Sequence, residues 1–99
     1  NGVLEYLPPE SVDRYFALIA GLKPAAVVLI EPIGLNHDLD TQPESWPYGQ
    51  EFSLSHNYPH RLRQAGFEIK YQHEVNVYGV RVILILAATG QGDPLSDSE

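Results

Sequence analysis

The chain has 99 residues, enough for one small domain and too few for two. A formal net charge of −7, with the six basic residues scattered, excludes general affinity for nucleic acid or for an anionic membrane surface, which needs clustered Lys and Arg. Cysteine is absent, which removes disulfides, thiol nucleophiles and thiolate zinc sites; no apolar run reaches the length of a membrane helix, and a cytoplasmic location is expected.

Pro8 and Pro9 break the chain ahead of a helix. Val12, Tyr15, Phe16 and Ile19 then fall at i, i+3, i+4 and i+7, one apolar stripe on a helix over residues 10–20, with Gly21 suited to the left-handed position beyond its end. Residues 25–30 are apolar without alternation, the mark of a strand covered on both faces as in a parallel sheet, and Glu31-Pro32 should end it. Residues 32–55, with Gly34, Pro43, Pro47 and Gly49, read as a long irregular loop of the functional or mobile kind. A second helix is predicted over residues 58–65, stopped by Gly66. From Phe67 to Val77 apolar and polar residues alternate strictly, which predicts a half-buried strand, with His73 on its apolar side as a hydrogen-bonded core residue. The chain turns at Val77-Tyr78-Gly79, and residues 80–88 form a further apolar strand, expected to pair antiparallel with the preceding one. Residues 90–99 are polar and expected to be disordered, so the folded unit should span residues 1–89.

Three stretches in this order, residues 1–8 (NGVLEYLP), 22–32 (LKPAAVVLIEP) and 62–67 (LRQAGF), resemble class I S-adenosylmethionine-dependent methyltransferases. They look like that family's segment after strand four, its helix exit with strand five, and its last helix leading into strand six. The resemblance implies an α/β fold: the C-terminal half of a Rossmann-like methyltransferase sheet, with strands five, seven and six at residues 25–31, 80–88 and 67–76 and two helices. It also implies an absent N-terminal half of roughly 130 residues carrying the glycine-rich turn and the acidic ribose-binding residue. The intact protein would then be a methyltransferase, and this piece alone would bind S-adenosylmethionine weakly or not at all. A non-catalytic methyltransferase-like interaction domain is the alternative.

In an open α/β sheet ligands bind beyond the carboxyl ends of the strands. By the resemblance, Asn1, Gly2 and Leu4 would line the methionine side of the cofactor. Glu31, at the end of its strand, and the loop residues His37, Trp46, Tyr48, His56 and Tyr58 would face and cap the substrate, a small molecule. Methyl transfer from a sulfonium rests mainly on positioning, and a base is needed only where the acceptor must lose a proton. His37 and His56 are the candidates for that base, the sequence does not choose between them, and no metal site is expected. Deprived of strand four, residues 25–31 would present an unpaired apolar edge, through which the piece is expected to self-associate.

Overall fold

The computed structural model describes residues 4–23, 26–47 and 53–89. After a 3₁₀ turn at Leu4–Tyr6 come α1 (Pro9–Gly21), β1 (Val27–Ile33), two short strands β2 (Trp46–Pro47) and β3 (Leu54–Ser55), α2 (Tyr58–Gln64), and a long hairpin of β4 (Phe67–Val77) and β5 (Val80–Thr89). The main sheet has the order β1-β5-β4, and β2 and β3 form a separate two-stranded ladder.

Central β5 is antiparallel to both neighbours, from Val27 opposite Ala87 to Ile33 opposite Arg81 on one side and from Phe67 opposite Thr89 to Val77 opposite Val80 on the other. The outer strands β1 and β4 therefore run in the same direction, and the connection between them carries α2, as parallel strands require. The three strands stand in the expected order. No parallel ladder is formed among the described residues, however: β1 is hydrogen-bonded to β5 alone and is an edge strand. It also runs past Glu31-Pro32 to Ile33, because a proline lacking its N–H is tolerated on an edge.

Both helices pack on one face of this sheet. Val12 and Phe16 of α1 and Tyr58 and Leu62 of α2 join Leu29, Ile33, Phe67, Ile83, Ile85 and Ala87 in one core. Tyr15, on the predicted stripe of α1, is 47% exposed. The helix ends differently from expectation: Gly21 is its last residue, Leu22 caps it in a right-handed conformation, and Lys23 takes the positive φ of 52°. In α2, Asn57 is the N-cap, accepting from the His60 N–H at 3.2 Å, and Gly66, at φ 100°, makes the left-handed exit.

Among the described residues no element covers the other sheet face. Val28 and Ile30 of β1 are 63% and 41% exposed, so β1 is not covered on both sides. The prediction for β4 needs a larger correction. Phe67 and Ile69 lie opposite Thr89 and Ala87, on the face that carries the core, but a register shift between Ile69 and Tyr71 sets Tyr71 opposite Leu86 and His73 opposite Leu84, on the other face. One displaced residue inverts every side chain beyond it. Tyr71, His73, Val75 and Val77 therefore lie on the face away from the core, where they are exposed, and His73 stacks beside Tyr71 at 6.3 Å instead of entering the core. The hairpin closes at Tyr78 (φ 51°) and Gly79 (φ 82°), two positive φ values in a two-residue loop, with the Asn76 side chain accepting from the Gly79 N–H at 2.9 Å.

Candidate functional site

At the carboxyl end of β1 the chain enters the loop of residues 34–57, which is not featureless. Asp38 organises its first part: its side chain accepts from the Asp40 N–H at 3.0 Å and its carbonyl from the N–H groups of Thr41 and Gln42. The Thr41 side chain, followed by the Asp40 backbone, holds the Asp38 carboxyl below the ordinary carboxylate range. Buried Asn57 donates from Nδ2 to the carbonyls of Leu39 (2.8 Å) and Gln42 (3.0 Å), tying this segment to the start of α2. Arg81 at the start of β5 donates to the carbonyls of Gly34 and His37 and pairs with Glu74 at 2.8 Å.

His37 is buried and lies parallel to Trp46, with ring centroids 5.3 Å apart. Its Nε2 is 2.9 Å from the Gln42 carbonyl, which only accepts, so Nε2 carries the proton. Nδ1 is then an acceptor for the Ser55 hydroxyl at 2.7 Å, and Ser55 Oγ in turn accepts from the Gly34 N–H. The same reasoning fixes His56. Its Nε2 donates to the carbonyls of Leu4 and Leu7 at 3.1 and 3.0 Å, and Nδ1 accepts from the Ser45 hydroxyl at 2.6 Å. Ser45 accepts from Arg61 Nη2, and Arg61 Nη1 grips both carboxylate oxygens of Asp13 on α1. Burial, and secondarily the Arg61 charge, push the His56 imidazole below its ordinary value. Tyr58, also buried, meets the His56 ring edge-on at 5.5 Å.

A groove of about 360 Å³ lies between β1, α1 and the 3₁₀ turn. Its walls include Leu4, Leu7, Phe16, Val27 and Leu29, and the one carboxylate lining it among the described residues is the buried Glu31. The structure thus brings Leu4 and Glu31 to one space. His37 with Trp46 and His56 with Tyr58 form two aromatic pairs that do not line that groove. Asn1, Gly2 and Tyr48 lie outside the described residues. Among the described residues no three His, Cys, Asp or Glu side chains are grouped to hold a metal ion, and no helix is long and apolar enough to cross a membrane. Asn57, Ser45 and Arg61, which position the loop, carry no sequence signal beyond a capping residue ahead of a helix. Their long-range partners lie 11 to 48 residues away.

No family model matches the chain, and neither a curated protein nor a solved structure matches it.

Proposed function

We propose that this domain is the C-terminal half of a class I methyltransferase sheet and that it supplies one wall of an S-adenosylmethionine-dependent active site. The observation that carries this reading is the placement of β5, antiparallel between two strands that run the same way, each of them preceded by a helix on one common face. The open side of β1, with the apolar groove beside it, is where a further strand of such a sheet would add.

In the assembled site, Leu4 would bound the cofactor's methionine side, and Glu31 would orient a hydroxyl or ammonium group of a small-molecule acceptor or of the cofactor. The cofactor, when bound, supplies a methyl group already activated on sulfur, so alignment and exclusion of water are what these residues contribute. The same open edge would pair with a second copy where no fourth strand is supplied. The test is calorimetric titration of the full-length protein with S-adenosylmethionine. Saturable binding at one site is expected; no heat from a protein shown to be folded overturns the reading.

One observation favours a second reading, a non-catalytic interaction domain. Both ring nitrogens of His37 and of His56 are engaged inside the protein, which leaves neither imidazole open to take a proton from an acceptor. Cofactor binding without transfer to any acceptor would select it.

A further inference from the structure

We propose that the bare face of the β1-β5-β4 sheet is a docking surface for a second copy of this chain, packed face to face. The inference does not rest on the methyltransferase reading.

Its first support is the contrast between the two sides of the hairpin. Beyond the register shift, β4 is exposed on both sides, so solvent alone would tolerate polar residues on either. One side carries Gln72, Glu74 and Asn76; the other carries Tyr71, His73, Val75 and Val77, of which Tyr71, Val75 and Val77 are exposed by 51%, 43% and 47%. Across the ladder this second side continues into Val82 and Leu84, and at β1 into Val28 and Ile30. The row formed by residues 72, 74 and 76 is what a wet strand face looks like, and the row formed by residues 71, 73, 75 and 77, one histidine among apolar side chains, is what an interface looks like.

The second support is area. With the exposures above and those of Val80 (45%) and Leu86 (36%), the apolar side chains of the face offer on the order of 600 Å² per copy, against roughly 600–1,000 Å² per partner in specific interfaces and roughly 300–600 Å² for the largest apolar patch of an ordinary monomer. A twofold axis makes one patch its own complement, and two twisted sheets stack about 10 Å apart with interleaved side chains.

The third is charge. The chain carries −7, yet no residue from Tyr71 to Val77 or from Val82 to Leu86 that points to this face is ionised Asp, Glu, Lys or Arg. His73 is the one residue of these stretches on the face that can carry a positive charge, and with it neutral two such faces meet without burying a charge, whereas an anionic membrane would be repelled by the rest of the molecule. The position within the sheet also matters. Tyr71, Val75 and Val77 lie on the outermost strand, about 10 Å from β1, so a segment that adds beside β1 extends the sheet away from them.

Sedimentation equilibrium of the full chain, with the double substitution Val75→Lys and Val77→Lys beside the parent, tests this. Both positions are exposed, so the variant should keep the far-ultraviolet dichroism and urea midpoint of the parent. The parent is expected to be a dimer at about 100 µM, and the variant's dissociation constant should rise at least roughly a hundredfold, because each charge is buried twice across a twofold axis. A parent that stays monomeric at that concentration overturns the proposal, whether the face is bare or covered by another segment. A dimer that survives the double substitution, with a folded variant, also overturns it and moves the contact elsewhere, the β1 edge included.

Discussion

His56 is the strut that joins the 3₁₀ turn to the loop, and His56→Ala should show how much that joint contributes. The ring is fully buried and makes three hydrogen bonds, to the Leu4 and Leu7 carbonyls and from Ser45. Removing it does not strand all three partners. The Leu4 carbonyl keeps the Leu7 N–H at 3.0 Å, and Ser45 keeps Arg61. The polar loss therefore centres on the Leu7 carbonyl and the Ser45 hydroxyl, and costs about 1–2 kcal/mol. The space left by an imidazole beside Tyr58, on the order of 70 Å³, adds about 1.5 kcal/mol at the usual cost per unit of cavity volume. The expected total is about 3 kcal/mol, a large share of the stability of a domain this size.

Urea unfolding followed by the fluorescence of the single tryptophan, Trp46, reads this directly. With a slope of about 1 kcal/mol/M, the midpoint should fall by about 3 M while the slope stays constant. His56→Gln, which retains a donor and most of the volume, should recover about half of the loss. A decrease below about 1 kcal/mol for His56→Ala would refute the reasoning, because it would mean that water replaces the ring without penalty.

The same residue predicts a pH dependence. An unfolded His56 titrates at its ordinary 6.5 and the buried one below it, so between those values the unfolded chain binds more protons. His56's contribution to stability is therefore complete above pH 6.5 and declines as pH falls through 6.5 towards the folded value; urea midpoints measured between about pH 7.5 and 5.5 should drop for the parent and drop less for His56→Gln. At the hairpin, Tyr78 is fully exposed yet held at φ 51°, so Tyr78→Asn, which places the favoured residue ahead of Gly79, should stabilise by about 0.5–1 kcal/mol in thermal melts. An unchanged or lower melting temperature would show that the ring contributes something the turn geometry does not reveal.

Where the sequence made the architecture legible, it did so through periodicity and punctuation. The stripe Val12, Phe16, Ile19 specified α1. Pro59 and Gly66 bracketed α2, and Tyr78-Gly79 between two apolar runs marked the hairpin. The unbroken apolarity of β5 matched its central place. The inversion within β4 was not legible, because strict alternation runs without a break from Phe67 to Val77 and a register shift leaves the pattern of residue types untouched. The left-handed residue after α1 was misplaced for a related reason. Glycine is the usual occupant, but the hydrogen bonds of Leu22 and Lys23 to Ile19 and Ala20 move the left-handed residue two positions beyond Gly21, to Lys23. The engagement of His37 and His56 could not be read either. A histidine in a loop is equally compatible with catalysis and with support, and what decides between them here is carbonyls five and 49–52 residues away.

These two surprises bear on each other. The register shift keeps Phe67 and Ile69 under α2, which fixes the sheet to its helices, and releases the rest of β4 from any role in that core. What is released is apolar on one side only. At the opposite end of the sheet, β1 has an unpaired side and a groove along it, while its own Val28 and Ile30 continue the bare face. A strand added at β1 would use backbone hydrogen bonds in the plane of the sheet; a sheet docked on the face would use side chains perpendicular to it. The directions differ, but a completed doubly wound sheet carries helices on both faces, so the half of the sheet proposed above would cover the face on which a second copy would dock. Under the proposed methyltransferase reading, Lys substitution at residues 75 and 77 should therefore lower the melting temperature of the full-length protein, whereas under pairing of copies it should separate the dimer and leave the melting of the monomer unchanged, which tells the two readings apart.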